Sequence, residues 1–238
     1  MANDEMKVIT VMTRKGGAGK TTLTRALMSV AMQRGKRCLL VDTDPQQALA
    51  RWATKLKIED PLFELGPRLD SAAGLAELVE TTYEAGETDL VFVDTIGAAG
   101  DWADILAIDS DALVVPMMLS DDDFEITKDT FNWYVGLRER TDDPELLPTF
   151  HVVLSNVPSK QSKAEEAVEH EALRSFPVAE DYFMSRKQHK DAAQGGFLHH
   201  LAAAKRASRN GLTRFHARHY EEALEEAGAI LDQVMGAN

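Results

Sequence analysis

Residues 15–22 read Lys15-Gly16-Gly17-Ala18-Gly19-Lys20-Thr21-Thr22, and this stretch limits the possible folds more sharply than any other. An apolar run at 7–12 leads into it and a helical pattern at 20–34 leaves it. Glycines crowded between a strand and a helix let successive backbone N–H groups turn inward around an anion. The helix N-terminus adds its partial positive charge. Lys20 is then placed to reach the β and γ phosphates of ATP, the Thr21 hydroxyl to ligate Mg²⁺, and Thr22 to make a further phosphate contact. The strict pattern Gly-x-x-x-x-Gly-Lys-Ser/Thr is not met. Arg14 stands where its first glycine belongs, and an extra lysine, Lys15, precedes the glycine pair.

The remainder of the 238 residues alternates short apolar runs with helical patterns. Strands are expected at 7–12, 37–42, 62–65, 89–94, 112–117 and 150–155. Helices are expected at 20–34, 46–56, 72–84, 124–140, 162–175 and 212–234. Several strands are continuously apolar, as parallel strands covered on both faces must be. The expected fold is therefore α/β, a doubly wound and mostly parallel sheet with helices on both faces, of the P-loop NTPase type. Such sheets bind ligands at the carboxyl ends of their strands. No linker, repeat or low-complexity tract interrupts the pattern, so residues 1–238 are read as one domain. The apolar runs are strand-sized, far short of a membrane span, and at the acidic start no signal peptide is expected. A single cysteine, Cys38, excludes an internal disulfide and fits a reducing compartment.

The loop resembles the deviant Walker A box of the ParA/MinD superfamily, the bacterial partition and positioning ATPases. Two further segments are similar to that family's motifs. Val41-Asp42-Thr43-Asp44-Pro45-Gln46 matches its Asp-x-Asp-Pro-Gln box, and Val91-Phe92-Val93-Asp94-Thr95 matches its Walker B strand. The resemblance spans residues 7–156. It implies a dimer that sandwiches two ATP molecules, in which Lys15 reaches across to the partner's nucleotide as a finger supplied in trans. It also implies roles for the acids: Asp94 and Asp42 near Mg²⁺, and Asp44 orienting the attacking water. Asn156 and Pro158 fall where the family often contacts adenine. Slow, partner-stimulated hydrolysis would release the subunits. The chain departs from the family's Asp-Thr-Pro-Pro after the fourth strand, having Asp94-Thr95-Ile96-Gly97-Ala98-Ala99-Gly100. In that loop the Gly97 N–H is a candidate γ-phosphate sensor.

The net charge of −13 argues against indiscriminate DNA coating by the whole surface. Yet Phe183–His219 carries eight Lys/Arg against one acid, while the rest of the chain holds 18 basic and 38 acidic residues. Within that window Lys205, Arg206, Arg209, Arg214 and Arg218 have helical spacing and are candidate phosphate contacts for non-specific DNA. The resemblance strengthens that reading, since partition ATPases bind DNA as ATP dimers through C-terminal basic residues. It further implies an adaptor, ParB-like or relaxosome-like, and a bacterial cytoplasm, on nucleoid or plasmid. The subgroup assisting conjugative and T-strand transfer is the nearer match, and a protein assembly is the alternative cargo. MinD-type members end in a basic amphipathic helix that lies on lipid, whereas this chain ends in Glu221, Glu222, Glu225 and Glu226, so no membrane partner is expected. His199 and His200 are adjacent, and neighbours on a helix diverge by about 100°, so no metal is expected there.

Overall fold

The structure, a computed structural model, describes residues 2–69, 71–95 and 101–236. Seven strands form one sheet in the order β3-β2-β4-β1-β5-β6-β7, and every pairing between them is parallel. The strands are β1 (Lys7–Val11), β2 (Cys38–Asp42), β3 (Phe63–Leu65), β4 (Leu90–Asp94), β5 (Ala112–Met117), β6 (Thr149–Val157) and β7 (Phe183–Met184). Between them run α1 (Lys20–Gln33), α2 (Ala48–Leu56), α3 (Ala72–Ala85), α4 (Asp101–Ile108), α5 (Asp121–Arg140) and α6 (Lys163–Ser175). Helices α7 (Lys187–Gly195), α8 (Leu198–Arg206) and α9 (Gly211–Val234) follow β7. The doubly wound parallel sheet expected from the sequence is thus present.

The central strands are buried on both faces, which is why their sequences are apolar throughout rather than alternating. One face packs Ile9, Val11, Leu40, Phe92 and Val114 beneath α1, α2, α8 and α9. The other packs Val8, Val41, Val93, Leu113 and Leu154 beneath α4, α5 and α6. Small residues on α9, among them Ala223, Ala227 and Gly228, let that helix lie close along α1. A Cβ on Gly228 would come within 3.6 Å of the Val30 side chain.

Element ends follow capping chemistry. Ser120 accepts the Asp123 N–H to start α5, and three aspartates in its first turn complement the helix dipole. Ser162 and Glu165 close α6 with a reciprocal capping box. The expected helix at 46–56 begins only at Ala48, because Gln47 adopts a left-handed φ of 46°. Three helices and a strand carry no sequence expectation: α4, α7, α8 and β7. They are short, and β7 is two residues long.

Phe197, the residue before α8, is fully buried and meets both Trp52 and Phe63 edge-on, at centroid distances of 5.1 and 5.3 Å. It therefore joins α2, β3 and α8. Phe197→Ala is expected to lower unfolding stability by about 3–5 kcal/mol, read from urea denaturation.

Candidate functional site

The sheet order puts β1 and β4 side by side, with Val11 paired to Asp94, and β2 next to β4, with Asp42 paired to Asp94. Phosphate loop and both aspartates therefore meet at the carboxyl ends of neighbouring strands. The loop leaves β1 and turns into α1 through Gly17 and Gly19, whose φ values of 88° and 95° L side chains rarely adopt. Lys20 is buried, and its Nζ donates to the Lys15 carbonyl oxygen at 3.4 Å. Ala18 is buried while Gly16 and Gly17 stay exposed, facing the space a phosphate would enter.

Asp94 is 2% exposed. Its Oδ2 accepts the Thr21 hydroxyl at 3.0 Å, and its Oδ1 has no hydrogen-bond partner. Burial, and then the neighbouring Asp42, push its pKa up to about 7. A buried carboxylate oxygen left over beside a threonine hydroxyl is what a hard divalent cation requires. Asp94 and Thr21 fit Mg²⁺.

Asp42 is built differently. Its Oδ1 accepts the Asp44 N–H, and its Oδ2 accepts the Leu49 and Ala50 N–H groups at 2.9 and 3.0 Å. Both oxygens thus hold the start of α2 and the following turn. Asp44 is half-buried in a turn closed by the Gln46 N–H on its Oδ1 at 2.8 Å.

Lys15 does not point outward. Its Nζ lies 2.7 Å from Oδ2 of Asp123, a buried carboxylate that also accepts the Ser120 hydroxyl at 2.5 Å. Hydrogen bonding to Asp123 raises the lysine's pKa above its ordinary value.

Beside the loop opens a cavity of about 250 Å³, lined by Gly17, Gly19, Thr22, Ser155, Asn156 and the segment from Phe183 to Ala193. Asn156, with a left-handed φ of 53°, stands at its wall; Pro158 does not line it. Sequence reading missed most of this wall, including Arg25, Ser155 and His189. Among the described residues five buried side-chain polar atoms lack a partner; three belong to residues lining this cavity, Arg25 Nε, Ser155 Oγ and His189 Nε2, and a fourth is Asp94 Oδ1 at the loop. Such groups are costly unless a ligand or water meets them. Burial lowers the Arg25 pKa, and pushes that of His189 down to about 4. Arg25, in the second turn of the helix that follows the loop, is the signal a closer reading of the sequence could have used. Residues 96–100, and with them Gly97, lie outside the described residues.

The basic residues do come together at the α8–α9 corner, but most are engaged. Arg206 pairs with Glu221, and Arg218 with Glu222. Arg214 donates to the Ser208 and Arg209 carbonyl oxygens, and the Lys205 ammonium sits 5.0 Å above the Tyr220 ring. Arg209 is exposed and makes no side-chain bond among the described residues.

This is the fold and phosphate loop of ParA/MinD-like proteins. The VirC1 protein family matches residues 6–237. Protein virC1 of Rhizobium radiobacter is 28% identical over 200 residues, covering 82% of this chain and 83% of that one. The maintenance of carboxysome distribution protein A of Gloeobacter kilaueensis is 32% identical over 199 residues, covering 80% and 82%. The solved structure of pNOB8 ParA bound to nonspecific DNA superposes with a TM-score of 0.60 at 18% identity, covering 96% and 99%. The chain belongs to the VirC1 family, within the ParA/MinD-like ATPases. No helix among the described residues is long and apolar enough to cross a membrane.

Asp94 carries a pH prediction. Its folded pKa lies above its unfolded value, so its contribution is complete below about pH 4 and is lost as pH rises through about 7. In metal- and nucleotide-free protein, Asp94→Asn is therefore expected to be more stable than the parent at pH 8. The gap should be about half as large at pH 5.5, midway through the window in which the contribution is lost, as read from urea midpoints at both pH values.

Proposed function

We propose that the chain binds ATP with Mg²⁺, pairs with a second copy across two nucleotides, and hydrolyses ATP slowly until an adaptor protein stimulates it. The cycle would hold and release DNA non-specifically, moving plasmid or transfer-strand cargo. The observation that carries this reading is the grouping of Lys15, Lys20, Thr21 and the unpartnered Asp94 oxygen around one glycine turn.

In this reading the loop amides from Gly16 to Thr22 hold the phosphates, and Lys20 neutralises the β and γ oxygens. Thr21 and Asp94 hold Mg²⁺, which when bound neutralises charge on the same phosphates. Asp42, with both oxygens engaged by backbone amides, positions Asp44 rather than serving as a main metal ligand. Asp44 keeps its Oδ2 to orient the attacking water. Ser155, Asn156, Arg25 and His189 line the cavity for the nucleoside. Lys15 must leave Asp123 before it can serve a partner's nucleotide.

Lys20→Ala is expected to weaken ATP affinity by roughly 100-fold, measured calorimetrically with Mg²⁺, because it removes a charge-assisted contact to the phosphates. Lys15→Ala should bind ATP within about threefold of the parent yet fail to dimerise, with turnover reduced by at least about 100-fold. Normal ATP-dependent dimerisation by that variant, followed by light scattering, would sink the role in trans.

For DNA, the α8–α9 corner is the proposed contact, with Arg209 leading and Lys205, Arg206, Arg214 and Arg218 joining as their internal partners yield to phosphates. Arg209→Glu should reduce ATP-dependent binding in a gel shift. It should also flatten the slope of log affinity against log salt by about 1; an unchanged slope would move the DNA path elsewhere. A second reading, protein-assembly cargo, is favoured by the glutamates that neutralise this corner and by the Gloeobacter relative. A chain that dimerises on ATP yet shifts no DNA at low salt would fit that reading.

A further inference from the structure

At the opposite end of the sheet from the phosphate loop, three side chains converge. Asp60 lies in the segment ahead of β3, and His199 and His200 lie in the first turn of α8. The Asp60 Oδ2 stands 3.5 Å from His199 Nε2 and 2.7 Å from His200 Nε2. These three ligand atoms all fall within 4.8 Å of one another. The divergence expected of adjacent helical residues does not occur, and the two ring centroids are only 4.1 Å apart.

We propose that Asp60, His199 and His200 form a binding site for a divalent transition cation of the zinc type. Two imidazole nitrogens and one carboxylate oxygen form a donor set that suits zinc. Tetrahedral zinc with nitrogen and oxygen ligands at about 2.0–2.2 Å separates those ligands by about 3.3 Å. The Asp60–His199 spacing already matches. His200, with 46% of its side chain exposed, has room to draw back by about half an ångström. A fourth position opens to solvent on that side and would take water.

The supporting contacts are those of a built site. Asp60 is 7% exposed, and its Oδ1 is occupied by the Leu62 N–H at 2.8 Å, leaving Oδ2 directed at both rings. The His199 Nδ1 is 2.9 Å from the hydroxyl of Ser29, a fully buried residue of α1 that also accepts the His199 backbone N–H. With a cation bound, an Nδ1–H donated to Ser29 would leave the Nε2 lone pair for the metal. Phe197 packs against the His199 ring at 5.8 Å and holds it in place. A bound cation would pin the segment before β3 to α8.

The test uses untagged full-length protein, stripped with chelator and titrated with zinc against a chromophoric competitor. One zinc per chain is expected, with affinity falling at least tenfold in His200→Ala and again in Asp60→Asn. Cobalt(II) should give the visible absorption of a four-coordinate centre in the parent and lose it in both variants. Zinc should raise the melting temperature of the parent but not of His200→Ala, whose exposed side chain makes unfolding of the apo variant an unneeded explanation. Stoichiometry near zero in the parent, or equal zinc affinity and equal thermal shifts in parent and variants, overturns the proposal and leaves Asp60–His200 as an ordinary ion pair. ATP affinity should be unchanged by these substitutions.

Discussion

Two carboxylates at adjacent strand ends govern the architecture around the loop. Asp42 and Asp94 are paired across β2 and β4, both nearly sealed from water, and each makes the other's charge costlier. The chain resolves this asymmetrically. Asp42 accepts three backbone amides, one from the turn at Asp44 and two from the start of α2. Asp94 receives one hydroxyl and keeps one oxygen in reserve. The same residue type at equivalent positions is thus tied into the backbone in one strand and left with an unpartnered oxygen in the next.

The basic corner shows how charge counted along a sequence differs from charge displayed in space. The window from Phe183 to His219 is strongly cationic as text. In the fold, Arg206 and Arg218 meet glutamates from the first half of α9, and Arg186 is held between Glu222 and Glu226. Exposed Leu212 and Phe215 stand between the remaining cations. The surface is mixed, with Arg209 as its most available guanidinium.

What the sequence disclosed and what it hid divide along physical lines. Strands β1, β2, β4 and β5 were legible because double-sided burial demands unbroken apolar runs, and α1 because a glycine turn precedes it. The glycine turn between β1 and α1 was legible because its left-handed positions, Gly17 and Gly19, admit few other residues. Short elements such as β7 and α7 were not, because two strand residues or nine helical ones leave no period to read. The role of Asp42 was also hidden: it receives amides seven and eight residues onward, and nothing in its own neighbourhood announces that. Lys15 was recognised, but Asp123 lies 108 residues away and only the crossover from β5 into α5 brings the two together. That the His199 and His200 rings come together was not legible for a similar reason, since both meet Asp60 in a distant loop.

The Lys15–Asp123 contact has an implication for how two such subunits would recognise readiness. A lysine that already has an anion of its own is no free bait for a second chain. On the proposed reading, the strength of association is then a difference between two embraces, one inside the subunit and one between subunits. A triphosphate would win that exchange by offering more negative charge than a single capped carboxylate, and a diphosphate would offer less. Ser120, by sharing its hydroxyl with Asp123, sets how tightly the inner embrace is held. The threshold for assembly would thus be written into the first turn of α5, a helix that begins about a hundred residues further along the chain than the loop it restrains.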